Sequence, residues 1–265
     1  MAIQSPAPAF FRLDGDNGYI GHDPARGPWA ADACHAGPVT GAIARSFEHL
    51  VTDKQLTKLS VEILRPVPLS GFYVEATIRK QGRMVTTASA KIVDKSGKLI
   101  ASANSLHIQV QSLRAMTSVD EVMPAFELAE PGDFPIKSTA HGLPSFSSGI
   151  EVRYPPGEDD RPGPTLLWMR TLPLIENEIP SPFQSLCPLA DCGNGLSRNE
   201  ELSDLSFMNP DITIVMHRAP KGEWLGSKSQ SHWQSTGIGL AQATLFDQQG
   251  AIGSAMQTLL LQELS

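Results

Sequence analysis

The chain repeats itself. Residues 38–107 placed on residues 191–260 at a constant offset of 153 bring Arg65 onto Arg218 and Ala88 onto Ala241. The same offset puts Asp94-x-x-Gly97 on Asp247-x-x-Gly250 and Asn104 on Gln257. The apolar-alternating run Leu59-Ser60-Val61-Glu62-Ile63 falls on Ile212-Thr213-Ile214-Val215-Met216. Solenoid units are about 20–50 residues long, so this period describes one small domain duplicated and fused. The division follows: an N-terminal domain over residues 1–110, a linker over 111–147 and a C-terminal domain over 148–265. Positions at which the copies differ then become informative about function.

Composition narrows the class. With 41% hydrophobic and 18% charged residues the chain can bury a full core. The net charge of −7 is spread out, and the 21 Lys and Arg form no cluster, so no nucleic-acid partner is expected. A small polyanionic ligand needs only a few local cations or helix amides. Cys34, Cys187 and Cys192 make neither an even disulfide framework nor a CxxC pair, which points to a reducing compartment. The N-terminus lacks a positive and then apolar leader, and no apolar run reaches about 18 residues. A cytoplasmic protein with no membrane span is the expectation. His107, His217 and His232 lack metal-ligand spacing, so no metal is expected.

The local pattern repeats too. Residues 10–21 read as a hairpin turning at Asp16-Asn17-Gly18. From Pro38 to about Val51, apolar Val39, Ile43, Ala44, Phe47, Leu50 and Val51 have helical spacing, with Pro38 suited to a first turn. Strands are predicted at Lys58–Leu64, Gly71–Gln81, Met84–Val93 and Lys98–Val110. In the second copy they fall at Gly149–Tyr154, Pro164–Thr171, Asp211–His217, Glu223–Gln234, Gly239–Asp247 and Ala251–Leu261, with a helix starting near Asp191. Residues 111–147 have scattered prolines and no sustained period, and read as a linker wrapped on the surface. The fold class is α+β, each unit a helix packed on an antiparallel meander.

The wording of particular blocks resembles a known family. GPWAADACHAGPVTGAIARSFE, PLADCGNG, MNPDITIVMHRAPKGEWLG and GSAMQTLLLQ, in that order, are similar to blocks of the acyl-CoA thioesterase II-like family. The resemblance implies a tandem double hotdog: two antiparallel sheets, each wrapped around a long helix, joined side by side. It implies hydrolysis of acyl-CoA-type thioesters without a cofactor. Carried over residue by residue, it makes Asp191, Asn209 and Gln257 the group that holds and activates the attacking water. Family enzymes carry Thr or Ser where this chain has Asn209, and their HGGP reads His35-Ala36-Gly37-Pro38 here.

Each site residue has a plainer role competing with the catalytic one. Asp191 is a good N-cap, Asn209-Pro210 a common turn opening, and a strand amide such as Gln257 often faces solvent. The copies argue for the catalytic set, because Asp191 falls on Pro38, Asn209 on Leu56 and Gln257 on Asn104. Gly193 and Gly195 cost a helix about 1 kcal/mol each unless something approaches the backbone closely. His35, Gly37, Gly193 and Asn104 are the expected substrate-binding residues, with amides near Gly37 or Gly193 as the oxyanion hole. Arg65 and Arg218 are expected to pair with acids. Cys192 reads as a buried structural thiol. Neither GxSxG, GxGxxG nor a P-loop occurs.

Two other readings stay open. A hotdog hydratase or dehydratase would pair an Asp with a His, and Asp191 has no His at short spacing. A non-catalytic acyl-thioester-binding protein would keep the cavity without the chemistry. The tandem already supplies a hotdog pair, so a monomer or a homodimer of tandem units is expected.

Overall fold

The computed structural model describes residues 9–114, 116–117, 123–136, 141–201 and 205–263. Residues 1–8, in the segment read for a leader, and linker residues 115, 118–122 and 137–140 lie outside them. The first copy contains β1 (Phe11–Asp14), β2 (Gly18–Gly21), helix α1 (Ala36–Leu50), β3 (Gln55–Ile63), β4 (Phe72–Gln81), β5 (Val85–Asp94) and β6 (Leu99–Ile108). The linker adds a short strand, β7 (Glu130–Gly132). The second copy contains β8 (Ile150–Tyr154), β9 (Thr165–Thr171), α2 (Pro182–Ala190), α3 (Gly193–Leu196), β10 (Leu205–Met208), β11 (Asp211–Met216), β12 (Leu225–Trp233), β13 (Ile238–Asp247) and β14 (Gly250–Glu263).

The expected two sheets are one. Fourteen strands form a continuous antiparallel sheet in the order β1-β2-β4-β5-β6-β3-β11-β14-β13-β12-β9-β8-β7, with β10 on β14. The halves meet where β3 pairs with β11. There Ser60 lies opposite Thr213, its own equivalent at offset 153, and their hydroxyls hydrogen-bond at 3.0 Å. A pseudo-twofold axis therefore passes through that pair. Two alternating strands with one apolar face each could close their inner edges only against each other, which leaves no exposed edge in the middle of the molecule.

The helices pack against each other and on the sheet. α1 buries Val39, Ala42, Ile43, Ala44 and Phe47, and antiparallel α2 crosses it so closely that glycine is required. A Cβ at Gly37 would sit 2.9 Å from the Pro188 Cα. At the other end of the crossing, Glu48 accepts from the Ser181 hydroxyl (2.8 Å) and the Gln184 amide (2.7 Å). None of the helices among the described residues is long and apolar enough to cross a membrane.

Two expectations from the gapless overlay are corrected. The β5–β6 turn holds one residue more than the β13–β14 turn: Val93 pairs with Leu99, but Phe246 with Ala251. Beyond the turn the true offset is 152, so Ala88 pairs with Ser105 as Ala241 pairs with Gln257. The counterpart of Gln257 is thus the buried Ser105, while Asn104 matches Met256 and both lie on the exposed outer face. A one-residue slip in a strand exchanges its faces, and that removes Asn104 from the site.

The second correction concerns the helix at Asp191. It does not begin there. Ser181 caps it, accepting from the Gln184 N–H, and Pro182 opens its first turn. α2 then runs to Ala190, the chain passes Asp191 and Cys192 in a tighter turn with the Cys192 N–H on the Leu189 carbonyl, and α3 resumes at Gly193. Pro188 within α2 and glycines at 193 and 195 explain the break. In place of a second long helix there are segments of 9 and 4 residues. From Pro182 to Leu196 the pair spans the same length as α1, both ends at offset 146, with caps Ser181 and His35 coinciding. Asp191 consequently matches Arg45, not Pro38. The buried Arg45 is held by Glu178 through two 2.8 Å bonds, so the first copy has an ion pair where the second has its acid.

Candidate active site

Asp191 is 3% exposed, at the break between α2 and α3. Its Oδ1 accepts from Asn209 Nδ2 at 2.8 Å and from Gln257 Nε2 at 3.0 Å. Gln257, inward on β14, also spans the helix break, with Nε2 on the Asp191 carbonyl (3.0 Å) and Oε1 taking the Asn194 N–H (3.2 Å). Asn209, between β10 and β11, gives its second amide hydrogen to the Asp211 carbonyl (3.3 Å) and accepts from Asn194 Nδ2 (3.0 Å). Asn194 Oδ1 takes the Gly195 N–H. The amides form a chain in which each oxygen is occupied by a donor, which fixes their orientation and points two donors at Oδ1. The three residues expected to act together are brought together.

The other oxygen faces the first copy. Asp191 Oδ2 lies 3.1 Å from His35 Nδ1, which also accepts the Gly37 N–H at 3.1 Å as the cap of α1. With Nδ1 accepting, the neutral imidazole carries its hydrogen on Nε2. The Oδ2–Nδ1 contact is then a hydrogen bond only when a proton lies between them. Burial pushes the Asp191 carboxyl up to about 7, against the pull of Asn209, the Gly37 amide and Gln257, and burial drives His35 down to about 3. The protonated pair is therefore a neutral acid donating to a neutral imidazole. No His lies near Asp191 in sequence; the partner comes from the other copy, stacked on Phe146 with ring centroids 4.0 Å apart.

Asp191, Asn194, Asn209 and His35 face a cavity of about 350 Å³. Trp29, Ala33, Ile63, Leu64, Phe207 and Met208 supply much of its apolar wall, and Phe134, Ile136 and Phe146, all within the stretch expected as a linker, close one side. That stretch therefore does more than connect two units: it supplies part of the cavity wall. Only its scattered aromatics hinted at that. Gly37, Gly193 and Gln257 stand behind the wall. Gly37 allows the helix crossing and donates its N–H to the capping His35, while a Cβ on Gly193 would press to 3.3 Å from Gln257 Oε1. These two glycines position the site and do not line it, contrary to the substrate-binding role expected for them. Asn194 was not singled out from the sequence, where it reads as one more polar residue in a glycine-rich turn.

Cys34 and Cys192 line the cavity, but burial raises Cys34 to about 12 and Cys192 well above the ordinary thiol range. Both are protonated and poor nucleophiles. Among the described residues no three His, Cys, Asp or Glu side chains gather as a metal site. A larger groove of about 590 Å³ lies beside β8, β9 and α2, but its charged groups, Glu151, Arg170 and Glu223, are spent on one another.

The hotdog-type antiparallel sheet is a fold that this chain shares with solved thioesterases. The chain belongs to the acyl-CoA thioesterase family: the family's N-terminal domain matches residues 25–114 and its C-terminal domain residues 123–261. Solved structures similar in fold include acyl-CoA thioesterase II TesB2 of Mycobacterium marinum, 18% identical, TM-score 0.67, covering 96% of this chain and 94% of that one. The tesB protein of Mycobacterium avium subsp. paratuberculosis is 13% identical, TM-score 0.70, covering 95% of each. A provisionally named thioesterase from Novosphingobium aromaticivorans is 20% identical, TM-score 0.76, covering 97% and 100%. No curated protein sequence matches the chain.

Proposed function

We propose that this protein hydrolyses acyl-CoA-type thioesters, with Asp191 as general base on a water in the cavity and Asn209 and Gln257 holding its carboxylate. The observation that carries the reading is the buried Asp191 carboxyl poised near neutrality, with Oδ1 locked by two amide donors and Oδ2 left facing His35. Family membership supports the thioester as substrate. Water gives its proton to Oδ2, where the new O–H finds His35 Nδ1, and its oxygen bonds to the carbonyl carbon. The C–S bond then breaks and the thiolate takes the proton back. A base near pH 7 is worth roughly 10²–10⁴-fold.

Asn194 is the donor for the carbonyl. Both hydrogens of Asn209 Nδ2 and both of Gln257 Nε2 are committed, whereas Asn194, which lines the cavity, makes one bond through Nδ2 and has no partner for the other hydrogen among the described residues. Losing such a donor costs about 3–4 kcal/mol in the transition state. Thiol release from acyl-CoAs of graded chain length by wild type and Asp191→Asn tests the proposal. Wild type releases thiol and Asp191→Asn loses at least a hundredfold in kcat. Full-rate release by Asp191→Asn refutes the base; no release from any acyl-CoA refutes hydrolysis.

The His35–Asp191 pair also revives a hydratase reading, since an acid and an imidazole together can add water to an enoyl thioester. Loss of enoyl absorbance without thiol release would favour it.

A further inference from the structure

The duplication has a second broken position, at the open end of the cavity. Arg218 is spent on structure: its guanidinium grips the buried Asp247 through two bonds of 2.7 and 2.8 Å and reaches the Gly250 carbonyl at 2.9 Å. Arg65, its equivalent, was expected to pair with an acid in the same way. It does not. Its counterpart acid, Asp94, accepts the Ser96 and Lys98 amides and the Ser96 hydroxyl within the turn, the same turn that is one residue longer in this copy. Arg65 is left with only a 3.3 Å bond from Nε to the Leu99 carbonyl, and its two terminal nitrogens have no partner among the described residues.

Its location gives that free fork a use. Arg65 lines the cavity that contains Asp191 and is the one Lys or Arg among the described residues that do so. The buried Asp191, Cys192 and Asn194 mark the closed end, and the half-exposed Trp29, Leu64 and Met208 mark the mouth with the exposed Arg65. A thioester whose carbonyl reaches Asp191 sends its thiol carrier out through that mouth. For a chain of net charge −7, a polyanionic carrier is repelled at long range, so a local cation at the mouth has a specific electrostatic task. A planar guanidinium with both terminal nitrogens unoccupied by the described residues matches a phosphate better than an ammonium does.

We infer that Arg65 binds a phosphate of the phosphopantetheine carrier and so makes the enzyme select phosphorylated thioesters over bare ones. The inference rests on the hydrolase reading above for the direction in which the substrate lies. The carrier is CoA itself or the same phosphopantetheine group on a carrier protein, and both present a phosphate next to the pantetheine arm.

The test compares wild type with Arg65→Gln on acyl-CoA, on the matching acyl-carrier protein and on acyl-pantetheine, which has no phosphate. Arg65→Gln raises KM for acyl-CoA about tenfold, with kcat within twofold, and kcat/KM for acyl-pantetheine changes less than twofold. The penalty on the carrier-protein thioester equals that on acyl-CoA if the pantetheine phosphate is the one held; it falls on acyl-CoA alone if the adenosine phosphate is held. Rising salt weakens acyl-CoA binding in wild type and much less in the variant. An equal loss on acyl-CoA and acyl-pantetheine, or no loss on either, overturns the inference. If wild type hydrolyses none of the three, the hydrolase reading falls separately. Calorimetric binding of free CoA, about tenfold weaker in Arg65→Gln, then decides the role of Arg65 by itself.

Discussion

Replacing Asp191 by Asn should make the folded protein more stable while it loses activity. The carboxyl has an ordinary value of 3.8 and is raised to about 7 by burial. The sign follows from linkage. Between 3.8 and about 7 the folded state keeps a proton that the unfolded chain has released, so the wild type loses stability as pH rises through that window and levels off above it. At roughly 1.4 kcal/mol per pH unit the full loss is about 4 kcal/mol. Asn fits the same bonds without a charge. Its Oδ1 can accept from Asn209 and Gln257, and its Nδ2 can donate to His35 Nδ1. Urea unfolding of both proteins at pH 5 and pH 8 reads the difference, because other titrating groups such as Glu48 cancel between them. The advantage of Asn should grow by about 3 kcal/mol from pH 5 to pH 8. An advantage that stays constant with pH, or a variant weaker than wild type at pH 8, would refute the account of Asp191 as a buried acid with a raised proton affinity.

Activity should follow the same group in the opposite sense. Asp191 must be ionised to accept a proton, so log kcat/KM for acyl-CoA should climb with unit slope below about pH 7 and flatten above it; a flat profile from pH 5.5 to 8 contradicts a base at Asp191. Gly37→Ala should destabilise the fold by about 1–3 kcal/mol, measured by thermal or urea unfolding, because its Cβ would fall 2.9 Å from the Pro188 Cα and 3.2 Å from the Asp191 Cβ. A neutral Gly37→Ala would mean that the helix crossing is looser than described.

Much of this was legible locally. Alternation marked β3 and β11 before their pairing was known, and Gly-bearing turns bounded the hairpins close to their observed ends. Asp191, Asn209 and Gln257 could be singled out as polar groups among apolar neighbours and by resemblance. The failures share one cause. A gapless overlay cannot sense a single extra turn residue or a seven-residue extension after a helix, so it put Asn104 opposite Gln257 and Pro38 opposite Asp191. Ser181-Pro182 carries a readable helix start, which the more conspicuous Asp191 masks.

By itself, then, the sequence determined that two similar units exist, where their strands run and which residues carry unusual polarity, because these depend on neighbours along the chain. Tertiary structure decided which groups meet. His35 reaches Asp191, and Phe134 and Phe146 reach the cavity, only because β3 pairs with β11 and α1 crosses α2. The acid's affinity for its proton was decided there too, since desolvation is a property of everything packed around a carboxyl and not of the residues beside it in the chain.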